Sequence, residues 1–127
     1  MIGEKIIKLD NIASTNRYAL GLINKENIEE GTIIYAINQN DGKGTGNNKW
    51  ESENGKNLTL SFILKPHFVP IHSQFFLNVF SSLAVSDMIK SVLSFKEQIK
   101  IKWPNDIYYE NKKISGILIE NSILGDT

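Results

Sequence analysis

The sequence contains no cysteine among its 127 residues. A chain without thiols cannot build a disulfide framework, use a thiolate nucleophile, or bind zinc or an iron–sulfur cluster through cysteine. It also lacks an excess of charge of either sign, because 14 lysines and arginines balance 14 aspartates and glutamates. No net field attracts polyanions, so we expect no nucleic-acid partner, and any bound anion must be held by a local cluster.

Long hydrophobic runs are missing as well. The most apolar run, Phe75–Phe80, is interrupted by Asn78 and is much shorter than the roughly 18–20 residues of a membrane span. The start of the chain, MIGEKIIKLD, is charged and lacks the apolar core of a signal peptide. We therefore expect a cytoplasmic protein with no membrane partner. Its length suits one domain, or one part of a larger domain.

Apolar patterns in the first half predict a strand, a helix and a second strand. Lys5–Leu9 is typical of a short strand, and Ser14 or Thr15 is a suitable N-cap for the helix that follows. Thr32–Asn38 is rich in β-branched and aromatic residues, which favours a mostly buried strand. Asn40–Lys56 is polar and rich in glycine and asparagine, which predicts a long functional loop.

The second half adds one long helix and further strands. Asn57–Leu64 resumes a strand pattern, and Phe75–Leu93 has apolar residues on so many faces that we expect a core helix buried around much of its circumference. Gln98–Trp103, Ile107–Tyr109 and Ile114–Ile119 are typical of strands separated by turns. Helices interleaved with strands predict an α+β fold in which helices flank a mixed β-sheet.

The segment Gln39–Trp50 combines alternating glycines with lysines, at Gly42, Lys43, Gly44, Gly46 and Lys49. Such a backbone can turn its N–H groups towards an anion, which predicts a phosphate cradle. A flexible surface turn is the alternative. Trp50 favours the cradle, because a large indole beside a polar loop is suited to cover an apolar ligand. Neither the Walker spacing nor the dinucleotide fingerprint is present.

Two later segments carry further candidate groups. Lys102–Asp106 places a lysine, an amide and a carboxylate at a turn, where they would suit a phosphate contact and a magnesium ligand. An ordinary turn is the alternative, and we expect the adjacent Trp103 in the core. Lys112 and Lys113 precede an apolar strand in which Gly116 indicates close approach of backbone or ligand.

Together and in this order, the segments closely resemble the catalytic domain of biotin protein ligases. The matching motifs cover almost the whole chain: Ser14–Asn16, Gln39–Ser52, Gly55–Ser61, Lys102–Asp106 and Lys113–Glu120. Lys-Trp-Pro-Asn-Asp followed at once by Lys-x-x-Gly-Ile-Leu is far more specific than any single loop. The resemblance implies the mixed sheet shared with class II aminoacyl-tRNA synthetases.

The resemblance also implies a two-step reaction. Biotin is activated with ATP and Mg²⁺ to biotinyl-5′-AMP, and a lysine of a biotin carboxyl carrier protein then displaces AMP; no tightly bound metal is implied. By position, Lys113 matches the catalytic lysine. The biotin-binding positions that match are Ser14, Thr15, Asn16, Gln39, Gly42, Lys43, Trp50, Gly116 and Leu118. The positions that match the ATP–magnesium side are Lys43, Gly44, Thr45, Lys102, Asn105 and Asp106, with Asp106 as the metal ligand.

The chain departs from the family pattern in its glycine-rich loop and in the length of the catalytic domain that it matches. Positions 45–48, which are often basic in the family, hold Thr-Gly-Asn-Asn. From the resemblance we expect residues 1–127 to be part of the catalytic domain, truncated at the C-terminus, without the DNA-binding N-terminal domain, the C-terminal half and the small barrel. We therefore expect this chain alone to have little or no ligase activity.

Three alternatives stay open. A lipoate–protein ligase shares the fold and the carboxylate adenylation, but its Arg-x-x-Gly-Gly-Gly loop is missing. A non-catalytic fragment that binds biotin or a nucleotide is a different class of answer. An unrelated phosphate-binding domain is the third, since a motif match is a hypothesis.

Overall fold

The structure is a computed structural model, and the residues that it describes are 2–25, 27–44, 46–51, 53–94 and 96–122. Within them the chain divides into two compact units. Unit 1 comprises the described residues of 1–67 together with residues 120–122, and unit 2 comprises Phe68–Ile119. Each unit is described by itself.

Unit 1 is built on a mixed sheet. In chain order its elements are β1 (Ile6–Ile12), α1 (Thr15–Lys25), β2 (Ile33–Gln39), β3 (Gly42–Lys43), β4 (Lys49–Trp50) and β5 (Thr59–Phe62). The central strand β2 pairs parallel to β1 and antiparallel to β5. This confirms the predicted mixed sheet with a flanking helix. The predicted long loop is partly ordered as strand, because β3 and β4 pair antiparallel.

The core of unit 1 lies between this sheet and α1. Ile34 and Ala36 are fully buried, at 0% exposure, because alternate residues of β2 point to the same side of the sheet. Ile34 packs in a cluster with Ala19 of α1 and with Ile28 and Ile63. The predicted N-cap is confirmed, since Ser14 Oγ accepts a hydrogen bond from the Arg17 backbone N–H at 3.3 Å.

Unit 2 is a helix followed by an antiparallel three-stranded sheet. Its elements are α2 (Phe75–Val92), β6 (Ile99–Lys102), β7 (Asp106–Tyr109) and β8 (Lys112–Gly116), in the order β6-β7-β8. The last strand begins at Lys112 and ends at Gly116, earlier than the sequence predicts. The strand begins early because the turn between β7 and β8 is tight, with Glu110 at a φ of 54°. The Trp103–Pro104 peptide bond is cis.

Helix α2 is much less buried than its sequence predicts. Only Ser82 and Ser86 are buried among its residues. Its large apolar side chains that are exposed are Phe75, Phe76, Phe80, Leu83, Met88 and Val92. The prediction of a core helix is therefore wrong for the described part of the chain. Ser82 and Ser86 face the interior of unit 2, whereas the large apolar side chains of the helix are exposed or half-buried.

The predicted burial of Trp103 is also wrong. Its side chain is 71% exposed. The indole packs on Phe75, with ring centroids 5.3 Å apart in a tilted arrangement. Both rings therefore belong to an exposed aromatic surface of unit 2, and Ile99 and Ile107 are the buried apolar residues of its sheet.

In the described residues, α2 is long and apolar enough to cross a membrane when judged by length and composition alone. This finding concerns the whole helix and does not contradict the shortness of its uninterrupted apolar runs. The expectation from the sequence counted uninterrupted runs, whereas an 18-residue helix gathers apolar residues across polar ones such as Asn78.

We expect Ile34→Ala to lower the free energy of unfolding by about 2–5 kcal/mol, because it leaves a cavity in the core of unit 1. Ile6→Ala is the matched control, since Ile6 lies on β1 and is 60% exposed. Its cost should stay below about 1 kcal/mol. Urea unfolding followed by circular dichroism measures both, and equal losses would contradict this account of the core.

Candidate functional site

The parallel pairing of β1 and β2 brings two chain ends to the same edge of the sheet. β1 leads through Ala13 into the start of α1, and β2 ends at Gln39. Two backbone hydrogen bonds fix this edge: Asn40 N–H donates to Ile12 O at 3.0 Å, and Asp41 N–H donates to Ala13 O at 2.8 Å. Ligands of open α/β sheets bind at the carboxyl ends of strands, so this edge is a candidate site.

Four polar side chains form one hydrogen-bonded group at this edge, the Gln39 cluster, which comprises Thr15, Asn16, Gln39 and Ser61. Gln39 Oε1 accepts from the Thr15 backbone N–H at 2.9 Å and from Thr15 Oγ1 at 3.3 Å. Ser61 Oγ donates to Thr15 Oγ1 at 2.8 Å and also contacts Asn16 Oδ1. Thr15 and Ser61 are buried, so these hydroxyls satisfy one another away from water.

Gly42 sets the position of the Gln39 amide. A Cβ added to Gly42 would lie 2.5 Å from Gln39 Nε2 and 2.4 Å from the Trp50 carbonyl oxygen. Both distances are far below van der Waals contact, so only glycine fits between the amide and β4. The two hydrogen bonds to Oε1 and the space at Gly42 together orient the amide, with its Nε2 towards Gly42.

The outer part of the glycine segment is more exposed. Gly44 N–H donates to Asn48 O at 2.8 Å, which closes the β3–β4 turn, and Lys43 and Lys49 are exposed. Trp50 is half-buried opposite Gly42. Thr45, which the resemblance assigns to ATP, lies outside the described residues. The phosphate-cradle role of this segment stays a prediction.

An ion pair joins α1 to the segment after β2. Arg17 Nη2 lies 2.9 Å from Asp41 Oδ2, and the two side chains are 59% and 49% exposed. Exposed pairs of this kind contribute only about 0–1 kcal/mol to stability. Its effect is therefore local: it orients the start of the glycine segment relative to the first turn of α1.

In unit 2 the candidate groups surround the turn between β6 and β7, which we call the Asp106 turn (residues 102–106). Asn105 is 8% exposed, and its Nδ2 donates to Ile117 O at 2.6 Å. Ile117 N–H donates back to Asn105 O at 3.1 Å. The Asn105 amide is thus held by the chain just after β8, and its predicted role towards ATP stays a prediction.

Asp106 forms an ion pair with Lys113, which is the predicted catalytic lysine. Lys113 Nζ lies 2.9 Å from Asp106 Oδ1, and the side chains are 35% and 27% exposed. The resemblance implies separate roles for these two residues, a metal ligand at Asp106 and a catalytic group at Lys113. Among the described residues no group of three metal-ligating side chains is present. Asp106 alone is compatible with Mg²⁺ that keeps its waters and substrate phosphates as ligands.

A β-bulge puts Lys113 on the same face of the sheet as Asp106. Ile107 pairs with Ser115, but the next residue, Tyr108, pairs with Lys113, so that Ile114 is the extra residue of β8. Directly opposed residues share a face, and side chains alternate along a strand. Without the bulge, Tyr108 would oppose Ile114, and Lys113 would lie on the other face.

The same face gathers the other candidate groups of unit 2. Lys102 is opposite Asp106 on β6, and its Nζ lies 5.7 Å above the centre of the Tyr108 ring. Gly116 is opposite Asp106 on β8. Leu118 follows β8 and is half-buried. The structure therefore brings together Lys102, Asp106, Lys113 and Gly116, as it brings together Thr15, Asn16, Gln39 and Gly42 in unit 1.

Ser61 is the residue of the Gln39 cluster that was not predicted as a site residue from the sequence. It lies on β5, the strand next to β2, at a position where the strand is buried. The signal was available, because a serine at a buried position of a strand needs a hydrogen-bond partner. Sequence alone could not say that this partner is Thr15.

Comparison with known proteins identifies the family of this chain. The model of the "Biotin/lipoate A/B protein ligase family" matches residues 9–127. The chain belongs to this family. The match covers both units, and it confirms the resemblance that the motifs indicated.

Relatives within the family are biotin ligases. Biotin–protein ligase of Homo sapiens is 32% identical over 99% of this chain, which corresponds to 18% of that protein. The bifunctional ligase/repressor BirA of Bacillus spizizenii is 36% identical over 94% of this chain and 36% of that protein. The chain thus spans about a third or less of the length of these relatives.

Solved structures that resemble this chain are also biotin protein ligases. Biotin protein ligase from Leishmania major in complex with biotinyl-5-AMP matches 97% of this chain and 53% of that chain, with a TM-score of 0.79 and 26% identity. The enzyme from Aquifex aeolicus in complex with biotin and ATP matches 94% of this chain and 47% of that chain, with a TM-score of 0.75 and 32% identity. The fold expected from the resemblance is therefore confirmed, over about half of each solved chain.

We expect Gly42→Ala to lower the free energy of unfolding by about 1–3 kcal/mol, because the new Cβ displaces the Gln39 amide or β4. Gly21→Ala is the control, since a Cβ there meets no atom within 4 Å and Gly21 lies inside α1. That change should instead stabilise by about 0.5–1 kcal/mol. Chemical denaturation of both variants tests this, and a neutral Gly42→Ala would show that the amide is not confined there.

Proposed function

We propose that this chain supplies the biotin- and ATP-handling part of a biotin–protein ligase. In the first step a biotin carboxylate oxygen bonds to the α-phosphorus of ATP, and the bond to the β-phosphate oxygen breaks to release pyrophosphate. In the second step the amine of an acceptor lysine bonds to the carbonyl carbon of biotinyl-5′-AMP. The bond to AMP then breaks, and the amine loses a proton. The acceptor that we propose is a biotin carboxyl carrier protein.

The observation that carries the proposal is the Gln39 cluster. The ureido ring of biotin has both N–H donors and a carbonyl acceptor, so its site needs polar groups of both kinds. Thr15, Gln39 and Ser61 provide hydroxyl and amide groups whose orientations are fixed by their mutual hydrogen bonds. A preorganised polar cluster of this kind favours one ligand orientation. The relatives of known structure bind biotin or biotinyl-5-AMP, which supports the same assignment.

Lys113 is the group that we propose for catalysis. The carboxylate of biotin and the phosphates of ATP are all anionic, so they repel one another before they react. A fixed ammonium group lowers this repulsion and stabilises the charge that develops in the transition state. The ion pair with Asp106 holds the ammonium of Lys113 at a defined place in unit 2.

The remaining candidates fit the nucleotide. Lys102 and Lys43 would contact phosphate oxygens as point charges, and Gly42 and Gly44 would offer backbone N–H groups. When Mg²⁺ is bound with ATP, it neutralises phosphate charge, and Asp106 is the side chain that we propose as its protein ligand. We further propose that the reaction takes place in the cytoplasm.

The direct test is formation of biotinyl-5′-AMP from labelled ATP. The protein is assayed as the 127-residue chain and as the same chain continued by the C-terminal segment of the Aquifex aeolicus relative. We expect a biotin-dependent adenylate from at least the continued form, with no product when biotin is omitted. Failure of both forms to make adenylate would refute the proposed reaction.

Calorimetry with biotin, lipoate and ATP separates the rival functions. We expect heat of binding from biotin and none from lipoate. Preference for lipoate would indicate a lipoate ligase, which the missing Arg-x-x-Gly-Gly-Gly loop disfavours. Binding of biotin without any adenylate product would instead favour a non-catalytic binding module.

Lys113→Ala should slow adenylate formation by about 10²-fold or more, which is the scale of losing one electrostatic stabiliser. Lys112→Ala is the matched control. Lys112 pairs with Tyr109 on β7, so it lies on the opposite face of the sheet from Asp106. Single-turnover formation of biotinyl-5′-AMP measures both variants, and an unchanged rate constant for Lys113→Ala would remove this residue from the mechanism.

A further inference from the structure

Helix α2 is bonded to the Asp106 turn through one buried serine. Ser82 is 2% exposed, and its Oγ donates to the carbonyl oxygen of Pro104 at 2.7 Å. Pro104 lies in the turn between β6 and β7, outside the paired residues of the ladder. Its carbonyl therefore has no sheet partner, and in this half-buried turn it needs another donor. Ser82 satisfies it.

Other serines of α2 show that this bond is specific to its place. Ser91 Oγ donates to Met88 O within the helix at 2.6 Å, which is the usual local bond of a helical serine. Ser86 lies one turn after Ser82 on the same face and is also 2% exposed. In the described part of the chain its hydroxyl has no hydrogen-bond partner. Position and burial are thus matched at Ser82 and Ser86, and only Ser82 bonds the turn.

The Asp106 turn is held from two sides. Ser82 fixes Pro104 from the helix, and the two hydrogen bonds between Asn105 and Ile117 fix the next residue from the end of β8. The residue after Asn105 is Asp106, whose carboxylate pairs with Lys113. A continuous series of contacts therefore runs from Ser82 to the ammonium of Lys113.

We propose that Ser82 is a positioning residue for Lys113: its hydrogen bond to Pro104 sets the Asp106 turn and, through Asp106, the place of the ammonium. This inference rests on the proposed function, in which Lys113 assists adenylate formation. Ser82 itself touches no substrate in this scheme. Loss of its hydroxyl leaves the Pro104 carbonyl without its partner, so the turn gains freedom and the ammonium is held less well.

The effect should fall on the rate of the chemical step and leave biotin binding intact. The hydrogen bonds of the Gln39 cluster join residues of unit 1, whereas Ser82 acts on the Asp106 turn of unit 2. Small displacements of a catalytic group lower rates strongly, because the reacting geometry is narrow. A general loss of folding would also lower the apparent kcat without changing KM, so kcat is expressed per folded molecule, with the folded fraction measured by circular dichroism.

The kinetic experiment compares Ser82→Ala with Ser86→Ala in whichever form of the protein makes adenylate. For Ser82→Ala we expect kcat for biotinyl-5′-AMP formation to fall by about tenfold, with the KM for biotin within about twofold of the unchanged protein. Ser86→Ala should stay within about twofold in both constants. Equal kinetics of the two variants, or a loss confined to the KM for biotin, would overturn the proposal.

Amide hydrogen exchange in the 127-residue chain tests the positioning without any assay of activity. Ile117 N–H, which donates to Asn105, should exchange roughly tenfold faster in Ser82→Ala, the scale of losing one buried hydrogen bond. Its rate should be unchanged in Ser86→Ala. If the unchanged protein made no adenylate, the proposed function would fail. The exchange measurement would still show whether Ser82 holds the Asp106 turn in place.

A second variant covers the case in which Ser82→Ala does not fold. Ser82→Cys has similar size and a weaker donor, so it should show the same two effects in smaller measure. Unaltered exchange at Ile117 together with unaltered kcat in Ser82→Cys would overturn the proposal in that case.

Discussion

Unit 1 depends on the parallel pairing of β1 with β2. Because the two strands run in the same direction, the residues that follow both of them reach one edge of the sheet. Thr15 begins α1 at that edge, and Gln39 ends β2 there, which lets Gln39 Oε1 accept two hydrogen bonds from Thr15. An antiparallel β2 would carry Gln39 to the opposite edge. The hydrogen-bonded cluster and the fit of Gly42 against the amide both follow from this one pairing.

In each unit one buried serine bonds a neighbouring segment. Ser61 lies on a buried strand position and bonds Thr15, and Ser82 lies on the buried face of α2 and bonds Pro104. Burying an unbonded hydroxyl or carbonyl costs more than a typical hydrogen bond contributes. Each serine therefore restrains a neighbouring segment that carries candidate functional groups.

The sequence predicted local structure better than it predicted burial. The N-cap at Ser14, the helix that follows it and the buried strand ending at Gln39 are encoded by short-range patterns, and the structure has all of them. The burial of α2 and of Trp103 was predicted wrongly. An apolar pattern shows which faces of a helix could be covered, whereas coverage depends on what packs there, and in the described residues the interior receives the two serines.

By itself, the sequence determined which chemical groups are present, their order along the chain and the family to which the chain belongs. Tertiary structure decided which of these groups meet. The bulge at Ile114 turns Lys113 to the face that bears Asp106. No pattern of residue types in β8 predicts this bulge. The pairs Gln39 with Thr15 and Ser82 with Pro104 likewise join distant segments. Such contacts depend on strand register and helix placement, which are fixed only when the whole unit packs.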